Sequence, residues 1–265
     1  TGLEGKPQEV ITSKYYQHTK DLDEQEWREL IAHYWGFCSL VDTQVGEIVQ
    51  WLNARGKYDD TIIIYTSDHG DMLGSHALNL KGFELQYEET NKIPLIMVHP
   101  DLKGGEVQNM FVSLIDLMPT IADFCSIDFE AEVDGKSFAN AVVEGGSDHF
   151  REYVISESFE KDPNNRVAYE NPEEYTADNW RAMNICIRTV KDKYIFRGKD
   201  TDEYYDLIQD PFENRNLFPS EEHKDRVQQL RELIIDELEV SGTGLLNIVQ
   251  EKMAEKQGAA MLPRL

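Results

Sequence analysis

The most constraining feature is a seven-residue run, Thr61-Ile62-Ile63-Ile64-Tyr65-Thr66-Ser67, that stops at once in Asp68-His69-Gly70-Asp71. It is β-branched and aromatic, and it is apolar without alternation. Such a run suits a strand covered on both faces. A second run, Ile93 to His99, follows a Gly- and His-containing loop, with Pro94 near its start where proline is tolerated. Before them, Trp27, Leu30, Ile31, Tyr34, Cys38, Val41, Val45, Ile48, Val49 and Leu52 recur at three- and four-residue steps. That period predicts an amphipathic helix of about eight turns. Asp23 with Glu26 forms its opening cap, and Gly56 is its stop. Helix, strand, long loop, strand is the order of an α/β protein with a parallel sheet.

Later segments change style. Ser113 to Phe124 reads as a helix in which Pro119 predicts a kink or a late start. Tyr153 to Ser156 is a further strand, and Asp162 to Asp178, rich in Pro, Asn and Glu, is a surface excursion. Ile185 to Val190 and Lys193 to Phe196 flank a turn and read as a hairpin, with Tyr204 to Leu207 able to pair with it. Ser220 to Glu239 is a closing helix with Val227, Leu230, Leu233, Ile234 and Leu238 facing inward. The last twenty residues form a helix or a loose tail.

Charge narrows the classes of partner. With 26 Lys and Arg against 50 Asp and Glu, the formal charge is −24, which repels nucleic-acid phosphates and anionic lipid. Neither nucleic acid nor membrane is expected as a partner, and no apolar stretch is long enough to span a bilayer. An anionic substrate remains allowed, because a metal ion or one lysine reverses the sign locally. The three cysteines, Cys38, Cys125 and Cys186, form no CxxC and read as buried core thiols. The start, Thr1-Gly2-Leu3-Glu4, has neither an initiator Met nor a signal peptide, and the chain reads as a piece of something longer.

Asp68-His69-Gly70 is the strongest candidate for chemistry. Ligands of open α/β sheets sit where loops diverge at strand ends. There an Asp oxygen and a His nitrogen can reach one ion from a short turn, and Gly70 lets the backbone turn sharply. A turn in which Asp68 caps the next helix explains the same three residues. Lys81 follows thirteen positions after Asp68, far enough for the loop to fold back. Its ammonium is a compact charge suited to a tetrahedral oxyanion. Metal plus lysine at a strand end stabilises charge on a transferring sulfuryl or phosphoryl group.

The run Tyr65 to His76, with Lys81, Tyr87-Glu88-Glu89 and Ile93-Pro94-Leu95-Ile96, resembles the later half of type I sulfatases, in the alkaline phosphatase superfamily. Tyr34-Trp35-Gly36 through Gly46, Ile187-Arg188-Thr189, Lys193-Tyr194-Ile195 and Tyr205 to Leu217 extend the likeness, in order, over about residues 15–240. The resemblance implies a partial alkaline-phosphatase-like α/β fold, a mostly parallel sheet flanked by helices, with a small C-terminal antiparallel sheet plus helix. Residues 1–178 would be the C-terminal part of the catalytic domain, 179–240 the antiparallel subdomain and 241–265 a tail. It implies that Asp68 and His69 bind a divalent ion, usually calcium, and that Lys81 contacts the sulfate group. His76 becomes a possible substrate contact against an exposed loop His, and His33 a packing or surface residue.

The departures are equally specific. Sulfatases carry Cys-x-Pro-x-Arg or Ser-x-Pro-x-Arg, whose first residue becomes formylglycine, and no cysteine here fits. The acidic pair completing the metal site and the upstream catalytic His are absent too. The parent protein is therefore expected to be a metal-dependent sulfuric ester hydrolase acting on a sulfated small molecule or sugar. The isolated chain is expected to be inactive, unless a chain supplying the missing half, or a homo-oligomer, completes it. A phosphodiester or phosphonate monoester hydrolase, and a non-catalytic binding fragment or paralogue, are the competing readings. Elsewhere, Ser241 to Gly244 reads as a flexible helix stop, Glu88-Glu89 and Glu221-Glu222 as solvated faces, with Glu88 or Glu89 able to lie near a pocket rim, and Tyr204-Tyr205 as hairpin packing rather than a sugar-stacking pair.

Overall fold

The computed structural model describes residues 3–128, 132–143, 150–161, 180–242 and 244–260. The excursion expected from Asp162 to Asp178, and Thr243 in the glycine-flanked stop, lie outside the described residues. The chain divides into two units, one of residues 15–81 and 89–151, the other of residues 1–14, 82–88 and 152–265.

The first unit opens with α1, Glu24–Ala54. Its start is fixed by a reciprocal cap. Asp23 Oδ1 accepts from the Glu26 amide at 2.9 Å, and Glu26 Oε2 accepts from the Asp23 amide at 2.9 Å. Gly56, at φ 59°, follows its end. The helix forms as the periodicity predicts, but no residue on it is buried. Trp35 is 65% exposed and Phe37 69% exposed. Of the apolar stripe, Trp27, Leu30, Ile31, Val45, Val49 and Leu52 are half-buried, while Tyr34, Cys38, Val41 and Ile48 are exposed among the described residues.

The strands are β1, Ile63–Thr66, and β2, Leu95–Val98. They pair antiparallel, Ile63 opposite Val98 and Thr66 opposite Leu95, rather than in the parallel sense expected. A parallel pair needs a crossover that carries the chain back to the starting end, usually by a long helix. The connection here holds only a 3-10 turn, Ser75–Ala77, and a one-turn helix, Glu88–Asn91, so the chain re-enters where it left. Nor are both faces covered: the two strands form a sheet of two, and Tyr65 and Ile96 are exposed. Beyond them, a 3-10 turn, Leu114–Asp116, leads into α2, Leu117–Phe124. Pro119 thus falls in the first turn of α2, where its missing N–H costs no hydrogen bond. Asp116 is buried, and its carboxylate accepts from the Ser113 and Lys136 amides at 2.8 Å each and pairs with Arg151.

The second unit is a four-stranded antiparallel meander, β3 (Tyr153–Lys161), β4 (Trp180–Thr189), β5 (Asp192–Arg197) and β6 (Glu203–Asp206), in that spatial order. Two helices follow, α3 (Lys224–Val240) and α4 (Leu246–Ala260). The α/β class with a C-terminal antiparallel sheet plus helix is thus present, and the last segment is helical. Met183, Ile185, Ile187, Tyr194, Phe196 and Tyr204 pack against Val227, Leu230, Ile234 and Leu238 of α3 and Val249 and Met253 of α4.

Every residue of β5 is buried, because both faces of the sheet are covered by chemically different layers. One face is the apolar core just described. On the other, Lys193 lies 2.9 Å from Glu88 Oε1 and 2.8 Å from Glu213 Oε1. Arg197 pairs with Glu203 and, at 2.6 Å, with Glu9. Lys6 donates to Tyr205 Oη at 2.9 Å. Segments 3–14 and 82–88 are thus pinned to the sheet by buried ion pairs, which must be fully partnered to be tolerated. Glu88 is half-buried in this layer and is not the solvated residue expected; Lys193, aimed inward by the strand period, draws it in. Glu221 and Glu222 are exposed, and Tyr204 and Tyr205 are buried in the sheet, as expected.

Among the described residues no helix is long and apolar enough to cross a membrane. Of the three thiols only Cys186 is buried; Cys38 and Cys125 are exposed. Cys38 sits with Tyr34 and Val41 on the exposed middle of the α1 stripe, so its apolar position in the helical period does not bury it.

Candidate functional site

The segment after β1 turns abruptly. The Thr66 hydroxyl donates to the Pro94 carbonyl at 2.9 Å, and the Gly70 amide donates to the Thr90 carbonyl at 2.8 Å. These bonds hold residues 66–70 against the chain that enters β2. A Cβ on Gly70 would lie 1.9 Å from the Glu89 carbonyl oxygen. Gly70 is required for that close approach and not for a left-handed turn, since its φ is not among the positive ones.

Asp68 and His69 project from this turn. Asp68 Oδ1 accepts from the His69 amide at 3.0 Å, and the Ser67 hydroxyl donates to the His69 carbonyl at 2.7 Å. Asp68 Oδ2 lies 3.3 Å from His69 Nε2, and both side chains reach solvent. Lys81 Nζ meets the same His69 Nε2. An ammonium only donates, so Nε2 must accept. The proton then sits on Nδ1, which donates to the Gly70 carbonyl at 2.9 Å. The neutral ring with its proton on Nδ1 presents a lone pair to Lys81, whereas the protonated ring pairs with Asp68. Desolvation by itself would raise the Asp68 carboxyl; the His69 ring, backbone amides and Lys81 outweigh it and hold the group below the usual carboxylate range.

The structure thus brings Asp68, His69 and Lys81 into one cluster. His76 is placed differently: it is only 8% exposed, inside the loop rather than on it, with φ 55°. His33 lies on the exposed side of α1, with Nδ1 2.7 Å from the Glu29 carbonyl, a surface role.

The loop from Asp71 to Lys81 was not legible as a built object. Leu73, His76, Ala77 and Leu80 all have positive φ without being glycine, at 39°, 55°, 57° and 63°. Each such residue costs roughly 1 kcal/mol or more. The loop is closed by Met72 N to Leu80 O at 2.9 Å and Gly74 N to Leu78 O at 2.8 Å. Asp71 Oδ1 accepts from Leu73 N at 2.9 Å and from Leu80 N at 3.2 Å. Thr19 donates to the Ala77 carbonyl at 2.7 Å, and the Trp27 ring packs over Gly74. The one available sequence signal was the Asp71-to-Leu73 spacing, a side chain bonding the backbone two residues on.

Two ligands of a metal shell are available. Neighbouring ligands with bonds of about 2.4 Å stand roughly 3.4 Å apart, so the 3.3 Å bite of Asp68 Oδ2 and His69 Nε2 fits one edge of a coordination shell. Among the described residues no group of three or more His, Cys, Asp or Glu is arranged to hold an ion. The pair fits a metal as a partial site, and one lone pair at Nε2 serves either the metal or the Lys81 ammonium at a time.

The Sulfatase family matches residues 6–127, and the N-sulphoglucosamine sulphohydrolase, C-terminal family matches residues 74–240. The chain is 35% identical over 214 residues to an arylsulfatase of Clostridium perfringens, covering 78% of this chain and 40% of that protein. It is 30% identical over 237 residues to an N-acetylglucosamine-6-O-sulfatase of Bacteroides thetaiotaomicron, covering 88% of this chain and 37% of that protein. Among solved structures, a 2-O GAG sulfatase is similar in fold, with a TM-score of 0.72 at 24% identity, covering 88% of this chain and 48% of that one. A protein in complex with its substrate D-glucosamine-2-N,6-O-disulfate gives 0.68 at 25% identity, over 84% and 44%. A phosphonate monoester hydrolase of Agrobacterium radiobacter gives 0.71 at 26% identity, over 82% and 42%. The chain therefore spans 40% or less of the length of these two curated relatives. With matches running from residue 6 to residue 240, the chain belongs to the sulfatase family.

Proposed function

We propose that this chain is the part of a sulfuric ester hydrolase that presents Asp68, His69 and Lys81 to a sulfate group. The whole protein then cleaves a sulfate ester of a small molecule or sugar. The observation that carries this reading is the convergence of a carboxylate, an imidazole lone pair and an ammonium on one exposed turn. The similar arylsulfatase and N-acetylglucosamine-6-O-sulfatase support the reaction, and the latter favours a sulfated sugar.

In this reading Asp68 and His69 supply two ligands of a calcium ion. When bound, the ion offsets negative charge on the sulfate oxygens. Lys81 is the catalytic group of this chain: its ammonium donates to a sulfate oxygen and neutralises charge that grows as the ester bond breaks. His69 keeps its proton on Nδ1 through Gly70, so its lone pair stays directed into the cluster. The formylglycine nucleophile and the remaining metal ligands come from polypeptide outside these 265 residues, in the same chain or in a partner. The exposed apolar side chains of α1, Trp35 and Phe37 among them, support further polypeptide packing there.

The test uses the native protein that carries this sequence, with matched aryl sulfate and aryl phosphodiester substrates. The reading expects the sulfate to be preferred. It also expects Asp68→Ala to lose metal and more than about 100-fold in rate together. Full activity in that variant would sink the assignment. A preference for the phosphodiester would instead favour the second reading, a phosphodiester or phosphonate monoester hydrolase, which the Agrobacterium neighbour supports.

A further inference from the structure

We propose that Asp71 is a positioning residue for Lys81, a reading that rests on Lys81 as the anion-binding group. Lys81 reaches His69 only because eleven residues, from Asp71 to Lys81, fold back on themselves. Four of them adopt left-handed backbone that their side chains disfavour. A chain segment holds such a conformation only where its surroundings over-determine it.

One carboxylate oxygen spans the neck of this loop. Asp71 Oδ1 takes the Leu73 amide on the outgoing arm and the Leu80 amide on the returning arm, next to Lys81. Met72 N to Leu80 O and Gly74 N to Leu78 O continue the closure toward the tip. Thr19 and Trp27 secure the tip at Ala77 and Gly74. Those two act at the far end, whereas Asp71 acts at the residue before the lysine. Without the carboxylate, the Leu73 and Leu80 amides lose their shared acceptor. The returning arm is then free to shift, and the ammonium leaves the Asp68–His69 pair. Asn at this position keeps an oxygen able to take both amides; Ala does not.

Two experiments separate this proposal from the functional reading beneath it. The first is amide hydrogen exchange on this chain. Asp71→Ala is expected to speed exchange at Leu73 and Leu80 by tenfold or more, with β1, β2 and the second unit unchanged; Asp71→Asn is expected to stay near wild type. Unchanged exchange at those amides overturns the proposal, whatever the activity. The second is a double-mutant cycle on aryl sulfate hydrolysis by the native protein. Asp71→Ala is expected to cost about 10- to 100-fold in kcat/KM, with Asp71→Asn largely rescuing it. The same change in a Lys81→Ala background is expected to cost little more. Fully additive losses overturn the proposal. Wild-type activity in Lys81→Ala overturns the functional reading instead, while the exchange result still decides the role of Asp71 in the loop.

Discussion

Replacing Lys193 with Met removes the one cation between Glu88 and Glu213. Lys193 is fully buried, with its Nζ 2.9 Å from Glu88 and 2.8 Å from Glu213, and it also donates to the Gln86 carbonyl at 3.3 Å. Removing one partner of a buried ion pair costs about 3–5 kcal/mol, because the charge left behind keeps its desolvation without its counter-charge. Here two carboxylates are left behind, although Arg188, 3.3 Å from Glu88, softens one. With a urea m-value of about 1–3 kcal/mol/M, the midpoint falls by about 1–5 M.

The sign with pH follows from the carboxylates. Burial pushes Glu213 up even against the pull of Lys193. Burial also pushes Glu88 up, but Lys193 and Arg188 outweigh it and hold that carboxyl below the usual range. In the variant both rise. A folded-state value raised above the unfolded one means the native state binds more protons, so stability falls as pH rises through that window. The deficit relative to wild type is therefore largest at pH 8 and shrinks on acidification toward the carboxylate range. Urea denaturation at pH 8 and pH 5 measures both features. Adding Glu88→Gln and Glu213→Gln to the variant is expected to restore most of the loss, since no uncompensated charge remains. A deficit under about 1 kcal/mol, or one that does not vary with pH, would refute the buried-cation argument.

Gly70→Ala places a methyl 1.9 Å from the Glu89 carbonyl. Backbone must move, and sulfate-ester hydrolysis by the native protein is expected to fall by at least about tenfold while far-ultraviolet circular dichroism stays unchanged. Iodoacetamide applied to this chain is expected to label Cys38 and Cys125 and to spare Cys186, whose thiol burial pushes up to about 12. Peptide mass spectrometry reads the outcome, and rapid native labelling of Cys186 would contradict the burial of β4.

Local signals in the sequence were strong where the backbone alone decides. The Asp23 and Glu26 cap, the turn after β1, the hairpin of β4 and β5 and the inward face of α3 are each specified by neighbours in the chain. What failed was cover. Periodicity says which residues want burial and cannot say what buries them. The stripe of α1 and the apolar run of β1 predict full cover, and both are only half-buried, with Tyr34, Val41, Ile48 and Tyr65 exposed among the described residues. The converse error fell on Glu88, a charge that reads as solvated until Lys193 and Arg188 arrive from strands a hundred residues away. The site was legible in its composition, since Asp68, His69 and Lys81 were singled out together. The loop that unites them was not, because left-handed backbone at Leu73, His76, Ala77 and Leu80 has no glycine to announce it.

The most direct measurement is a crystal structure of the native protein grown with calcium and inorganic sulfate. The account places the cation on Asp68 and His69, with a sulfate oxygen within hydrogen-bond distance of Lys81 Nζ. Calcium bound elsewhere, with Lys81 turned away from the anion, would contradict it.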